Sequence, residues 1–576
     1  LPLCGVVAVN QYFTMSKPIR ILLLVFSTLI VLSFIAGLVY ARYWLDPMLK
    51  EELVKATARS SNDLYTLQLD RIHVNIFTGR LEADGVAMRT DSVRWEVMRQ
   101  EKPDSTPIKI NLRIKRLRIK DIGWIKYWRT KKLDLDGIEI VDPELELVSV
   151  KDTALAKLPE VDTLVLGMLD RLPERIAPFT DQLYIGYVAI SNGKFSLRNL
   201  RQNQSIYQQA DSINGVLSKV NIVANDTAKH SNALYCRRIL LTVLNYEFYP
   251  AGGVYGYHIK SATINGKDDL IKLQQVSILP TITDAEFMKR LTLRVPRVKI
   301  NMKEIIIRKL DLFRALHKEE LSMESVVIES AIVNLYQNKN LPLSRHKRMP
   351  HELFRNIKVY LNIDTILVRN SNILYTELLE GDKGQLEFEH ANGVLLNVTN
   401  DTLKMSDATP ARIDARAELM GAGLLDLSLQ LPLLSPTFRC DYSGNLGRID
   451  MTSLNRLVAE KNNFRIESGV AQKIELKVQV RNGLAQGTVE ATYDDLKISV
   501  LRDKDGSKKK LVSAVANLLL RGKNEPGSAS QPFKIGNIHY QREPTDGIVR
   551  YIWRAAQMGL VETLVPRSIS GGKMPD

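Results

Sequence analysis

Cysteine is nearly absent from this sequence. Cys4, Cys236 and Cys440 are the three present and no two form a CxxC pair, so neither a disulfide framework nor a zinc ribbon is encoded. A Cys236–Cys440 pairing has nothing in the sequence to support it. Histidine is also scarce: the eight are scattered, and His351-Glu352 is followed by Arg355 where a zincin helix needs its second histidine. No GxSxG pentapeptide exists to raise a serine on a strand-to-helix turn. Gly252-Gly253 and Gly421-Ala-Gly423 match neither nucleotide fingerprint and read as turns or bulges. Glu387 and Glu389 are spaced for the solvent face of a strand as much as for acid–base work. These absences remove the usual grounds for catalysis, so no enzyme activity, metal or cofactor is expected.

Apolar patterning, by contrast, is abundant. The 576 residues are 45% hydrophobic and 25% charged, the balance of an ordered protein several times the usual domain size of about 100–200 residues. Lysine and arginine outnumber acids 79 to 64, for a net charge of +15. That excess suits anionic partners, either phospholipid headgroups or nucleic acid. One stretch, Ile21 to Tyr40, carries no charge, and about 20 helical residues cross the hydrocarbon core of a bilayer. We read it as a membrane anchor containing Ile21, Leu24, Phe26, Leu32 and Phe34. Tyr40 and Trp44 supply an aromatic belt, and Lys17 and Arg20 mark the inner side. A cleaved signal peptide is the alternative, but its apolar region is normally about 7–15 residues. Leu1 to Thr14 reads as upstream of a start at Met15. A body across the membrane from the cytoplasm would not meet nucleic acid.

Beyond a helical neck at Asp46 to Ala58, apolar and polar residues alternate with period two, the mark of strands with one buried face. Ile110, Leu112 and Ile114 alternate with Asn111, Arg113 and Lys115. Leu427, Leu429 and Leu431 alternate with Ser428 and Gln430, and Leu476 and Val478 with Lys477. Half-buried antiparallel strands are expected. Four segments recur in order: KINLRIKRLRI from Lys109 and KINMKEIIIRKL from Lys299, then LDLDGIEIVDPELELV from Leu133 and LSMESVVIESAIVNLY from Leu321. YVAISNGKF from Tyr187 pairs with TILVRNSNI from Thr365, and INGVLSKVNIVANDT from Ile213 with ANGVLLNVTNDT from Ala391. A duplicated β module follows. Helices are expected only at Thr153 to Arg171, Ser453 to Lys461, Lys508 to Leu520 and Asp546 to Leu564. In the last, Ile548, Tyr551, Ile552, Ala555 and Met558 form an apolar stripe, fit either for a membrane surface or for closing the end of the array.

The fold class expected is therefore mainly β: a transmembrane helix followed by an elongated, curled antiparallel sheet of repeated modules, shaped as a groove or trough. Its apolar face must be covered, either by folding into a sandwich or by acyl chains. Burying lipid chains is worth about 0.8 kcal/mol per CH₂, so a greasy groove needs no cofactor. Ile110, Leu112, Ile114, Ile300, Met302, Leu427, Leu429, Leu431, Leu476 and Val478 are the expected lining. Arg345, Lys347 and Arg348 form a loop cluster suited to lipid phosphates. Arg113, Lys115, Arg116, Arg118 and Lys120 fall between the apolar positions and read as a solvated outer face.

The opening YTLQLDRIHVNIFTGRLEADGVAMRTDS from Tyr65 resembles that of the AsmA-like family. So does FRCDYSGNLGRIDMTSLNRLVAEKNNFRIESGVAQKIELKVQVRNGLAQGTVEATYDDLKISVL from Phe438, which is similar to the family's C-terminal region. The chain is short for a bridge across a whole envelope, and the stretch from Leu341 to Arg355 matches no pattern of that family. The resemblance implies an inner-membrane-anchored periplasmic protein, related to bridge-like lipid-transfer proteins, that supports phospholipid transport and outer-membrane homeostasis. The alternative is a scaffold assisting outer-membrane protein assembly. The expected layout is a cytoplasmic start at 1–18, a transmembrane helix at 19–41 and an AsmA-like N-terminal region at 42–150. A helical insertion at 151–178 precedes the rest of the first β module at 179–293 and the second at 294–450. An AsmA-like C-terminal region at 451–535 and a helix with tail at 536–576 complete it.

Overall fold

The computed structural model describes residues 46–564 except 76, 102–105, 150–171, 202–203, 225–232, 251–252, 380–381, 459–463, 501–520 and 529–531. The expected membrane helix and the helices at Thr153 to Arg171 and Lys508 to Leu520 lie outside the described residues. No helix among the described residues is long and apolar enough to cross a membrane.

Alternation along nearly the whole chain gives one long, open, curled sheet of 21 strands. At one edge β1 (Tyr65–Gln68) and β2 (Arg71–Asn75) both pair with β3 (Arg80–Thr90), followed by β4 (Lys109–Lys120) and β5 (Lys132–Ser149). Next come β6 (Gln182–Arg201), β7 (Gln204–Val223), β8 (Cys236–Tyr249), β9 (Tyr255–Asn265) and β10 (Leu270–Pro280). The order continues with β11 (Arg297–Arg308), β12 (Glu320–Asn338), β13 (Tyr360–Leu379), β14 (Asp382–Thr399), β15 (Ala411–Leu419) and β16 (Gly423–Leu431). At the far end β17 (Cys440–Leu446) and the two-residue β18 (Ile449–Asp450) lie against β19 (Phe464–Arg481). Then come β20 (Leu484–Val500) and the edge strand β21 (Ile535–Gln541).

The expectation of a purely antiparallel sheet is corrected: β5 pairs β6 in parallel, and β12 pairs β13 in parallel. A hairpin cannot join parallel neighbours, because the chain must first return along the full strand length. Long connections precede β6 and β13 for that reason, and alternation within a strand carries no information about its neighbour's direction.

The duplication is visible in the backbone. β4 and β11 start 188 residues apart, as do β5 and β12; β6 and β13 start 178 apart, as do β7 and β14. The two parallel junctions fall at equivalent places. So do left-handed residues: Asp121 and Lys309, Lys131 and Glu319, Asp142 and Ser330, Asn192 and Asn370, Lys219 and Asn397 all have φ between 48° and 56° except Asn370 at 44°. Non-glycine residues rarely adopt this conformation, so its recurrence at matched positions marks inherited backbone geometry. The amide of Asn192 donates to Asn214 Oδ1 at 2.8 Å, and the equivalent Asn370 amide donates to Asn392 Oδ1 at 3.0 Å.

These residues restart the alternation. On β13 the apolar side chains fall at Leu361 and Ile363, then Ile366 and Val368, then Ile373 and Tyr375, so the phase slips twice within one strand. The second slip spans Asn370, where the register to β14 also shifts. β6 repeats the pattern with Leu183 and Ile185, Val188 and Ile190, Phe195 and Leu197 around Asn192. A bulge moves later residues onto the opposite face unless the sequence shifts with it. Here it does, and the same face stays apolar.

The helix expected over Ser453 to Lys461 is a 3₁₀ turn at Met451–Leu454 running into Asn455–Val458. The neck is a helix over Asp46–Ser60, and the C-terminal helix spans Ile548–Leu564.

Candidate functional site: an apolar face with two environments

Direct cross-strand partners share a face and sit about 4.5–5.5 Å apart at Cβ. From Ile72 on β2 one row passes through Ala83, Leu117, Ile140, Ile190 and Gly215. It continues through Leu241, Ile264, Ile271, Ile307 and Val326. Ile366, Leu395, Ile413, Leu429 and Tyr442 extend it, and Val478, Gly487 and Ile538 finish it on β21. The row crosses every strand but β1 and β18 without one charged residue.

A second row starts at Ile110 and reaches Ile300 through Leu147, Leu197, Gln208, Phe248, Tyr257 and Ile278. From Ile300 it runs through Val333, Ile373 and Phe388 to Leu419. Leu419 and Ile413 lie an even number of residues apart on β15, which pairs to β16 without a register break. The two rows therefore lie on one face. Leu112 and Ile114 share the parity of Ile110, Met302 that of Ile300, and Leu427 and Leu431 that of Leu429. Leu476 faces Gly444, the partner of Leu427. All ten residues expected as lining point to the same side.

That side is covered unevenly. Ile110, Leu112, Ile114, Ile300 and Met302 are half-buried, as are Ile264, Ile271, Ile307, Val326, Ile366 and Leu395 in the first row. Leu429, Leu431 and Val478 belong instead to a closed core, against which Leu427 and Leu476 also pack. Two of the elements that close it among the described residues stand out. The first is the helix Ile548–Leu564, whose buried Tyr551, Ala555, Ala556, Gly559 and Thr563 pack against β20 and β21. Tyr551 donates from its hydroxyl to the Gly483 carbonyl at 2.9 Å, and Tyr493 to that of Thr563 at 3.2 Å. Val549 and Trp553 on its far side are exposed. Of the two roles expected for this helix, the described contacts are those of an end closure.

The second element is the connection from β12 back to β13. It runs along the apolar side, since Met349 is 0% exposed and sits in the same core as Leu429, Tyr442 and Val478. The Lys347 amide donates to the Pro544 carbonyl at 2.8 Å, and Arg542 Nη2 to the Lys347 carbonyl at 2.5 Å. The Met349 amide donates to Glu352 Oε2 at 2.7 Å, which holds that carboxyl below its usual range. His351 packs on Phe438 at 5.8 Å between ring centroids, and burial pulls its pKa down. Of the expected headgroup cluster, Arg345 and Arg348 are exposed and Lys347 is half-buried. All three ride on this strap beside the closed end.

A polar seam missed in the sequence lies at the strap's root. The single Tyr375 hydroxyl proton is shared between Gln337 Oε1 at 2.7 Å and Glu377 Oε2 at 3.1 Å, and Glu377, 2% exposed, is ion-paired with Lys339. Arg294 Nε donates to the Leu341 carbonyl at 3.0 Å; burial foremost, with Arg550 nearby, lowers its pKa. The signal lay in the second module's departures from the first: Tyr375 stands where the first has Leu197, Glu377 where it has Asn199 and Gln337 where it has Ser149.

The opposite face is solvated and charge-balanced. Arg113 pairs with Glu144 at 2.5 Å, Lys115 with Asp142 at 3.2 Å, Arg116 with Asp84 at 2.9 Å, Arg118 with Glu82 at 3.2 Å and Lys120 with Glu139 at 2.5 Å. Each such surface pair is worth about 0–1 kcal/mol, but together they cancel the basic run. Glu389, His390 and Glu418 bring three ligating atoms within 4.8 Å of one another on β14 and β15. Sequence reading found no histidine cluster because Glu418 comes from the neighbouring strand. Cys236 and Cys440 are both buried and neither is in a disulfide, and burial pushes their thiols up to about 11 and about 12, which disfavours the thiolate at neutral pH. No known protein-family profile matches this chain, and no curated protein does.

Proposed function

We propose that this chain is a membrane-anchored periplasmic lipid-binding protein of the AsmA-like type. In this reading the apolar face receives phospholipid acyl chains and supports their transfer between inner and outer membranes. The observation that carries it is the uncharged row through Ile264, Ile271, Ile307, Val326, Ile366 and Leu395, which no element among the described residues covers fully. Monomeric proteins rarely leave apolar patches beyond a few hundred Å² open unless something binds there. From β4 to β14 the strip extends about 50 Å at about 4.8 Å per strand. Each buried methylene contributes about 0.8 kcal/mol, so binding requires only the face itself.

Photo-crosslinking in cells tests this. A benzophenone amino acid at Ile300, on the apolar face, should yield phosphate-labelled lipid adducts, while one at the adjacent Asn301, on the opposite face, should not. Adducts only to envelope proteins at Ile300 would instead favour the scaffold for outer-membrane protein assembly.

A further inference from the structure

The helix Trp124–Thr130, between β4 and β5, leaves Trp128 84% exposed and Ile125 79% exposed, with Trp124 also exposed. Two further aromatics stand beside it. The Tyr127 hydroxyl donates to the Phe179 carbonyl at 2.8 Å, and the Ile122 amide donates to the Gly79 carbonyl at 2.8 Å, in the turn that carries Phe77. Phe179 is 71% and Phe77 60% exposed.

The duplication shows what such a helix normally does. Its counterpart, 188 residues on, is Leu312–His317, in which Leu312 and Leu316 replace Trp124 and Trp128. Leu312 and Leu316 pack into the core built on Tyr235, Cys236 and Ile239 of the preceding module. In the first copy, no element among the described residues covers these positions, and Ile125 and Trp128 stay exposed. Its apolar positions are tryptophans, whose amphipathic rings favour the membrane interface. Lys126, Arg129, Lys131 and Lys132 flank them, all exposed; Lys126 pairs with Asp134.

Tyr40 precedes Asp46 by six positions, about 20 Å of chain at most, and Asp46 Oδ1 accepts from the Val74 amide at 2.9 Å, three residues before Phe77.

We propose that Trp124, Ile125 and Trp128, with Phe77 and Phe179, form a second contact with an anionic lipid bilayer. It seats the first module's rim on the membrane, and it stands whether or not the apolar face carries lipid.

The test uses the full chain with C4S in vesicles of phosphatidylcholine and phosphatidylglycerol. Cys236 and Cys440 are buried, so a nitroxide reports I125C alone or, at the opposite rim, E286C. Collision with oxygen relative to a water-soluble nickel chelate should be several-fold higher at I125C than at E286C. The excess should vanish when W124S and W128S are added. Equal ratios at both sites, or shielding of I125C from both reagents as a protein cover would give, overturns the proposal.

Discussion

Gly536 on β21 and Gly559 on the C-terminal helix meet backbone to backbone: a Cβ on Gly536 would stand 1.9 Å from the Gly559 carbonyl oxygen. A Cβ on Gly559 would lie 2.6 Å from Val489 Cγ2. Neither atom can be accommodated without lifting the helix. We expect Gly536→Ala and Gly559→Ala each to cost about 1–3 kcal/mol, read by urea denaturation, with faster hydrogen exchange across Ile548–Leu564.

The two environments of one row predict opposite outcomes for the same substitution. Leu429→Asp puts a charge into the closed core and should cost about 3 kcal/mol or more. Ile307→Asp, on the half-covered stretch, should shift thermal stability far less while abolishing lipid adducts at Ile300. Equal destabilisation by both would show that the stretch near Ile307 is as dry as the end near Leu429.

Tyr442 lies in the closed core with its hydroxyl buried and unpartnered among the described residues. Burial also drives its pKa far above the ordinary tyrosine value. Tyr442→Phe removes a desolvated polar atom and should be neutral or stabilising by about 1 kcal/mol. A loss of stability on calorimetry would reveal a partner for that oxygen.

Asn192 and Asn370 hold φ of 54° and 44° where the alternation restarts. Valine there should cost about 1–2 kcal/mol from the left-handed backbone alone, and glycine markedly less. Thermal melts of the four variants, at matched positions of the two modules, should show the same ranking in both.

His351 is buried with its pKa lowered. Below its ordinary value near 6.5 the unfolded chain takes up a proton that the folded chain resists. Its stabilising contribution is therefore present above that pH and lost as pH falls toward the folded value. Glu352, with a lowered pKa, adds a loss in the same direction at more acidic pH. His351→Gln should flatten the stability profile between about pH 6.5 and 5; an unchanged slope would assign the acid sensitivity elsewhere.

The strands and the duplication were legible because both are carried by side-chain type along the chain: Ile110 to Ile114 or Leu425 to Leu431 announce a half-buried strand locally. Leu133, Leu135, Ile138 and Ile140 also showed the phase slip, although its cause, left-handed backbone in register across neighbouring strands, is invisible in one strand. Strand direction was not legible, since the pairing of Leu321 with Leu361 leaves no trace in either segment. Nor was the unequal cover of the face. Ile307 and Leu429 are the same kind of residue in the same kind of strand, and among the described residues the strap and the last helix distinguish them. Met349 looked like an ordinary loop methionine because its burial comes from residues roughly a hundred or more positions away, such as Tyr442 and Val478.

The parallel junction between β12 and β13 has a consequence for anything that slides along the apolar side. Joining parallel strands obliges the chain to double back across the sheet, and here it does so on the greasy side, with Met349 driven into the interior and Lys347 tied to Pro544. Among the described residues, anything moving along that side toward β21 meets this crossing and stops there. The end beyond it is a closed chamber, and it becomes a thoroughfare only when the crossing and the last helix part together.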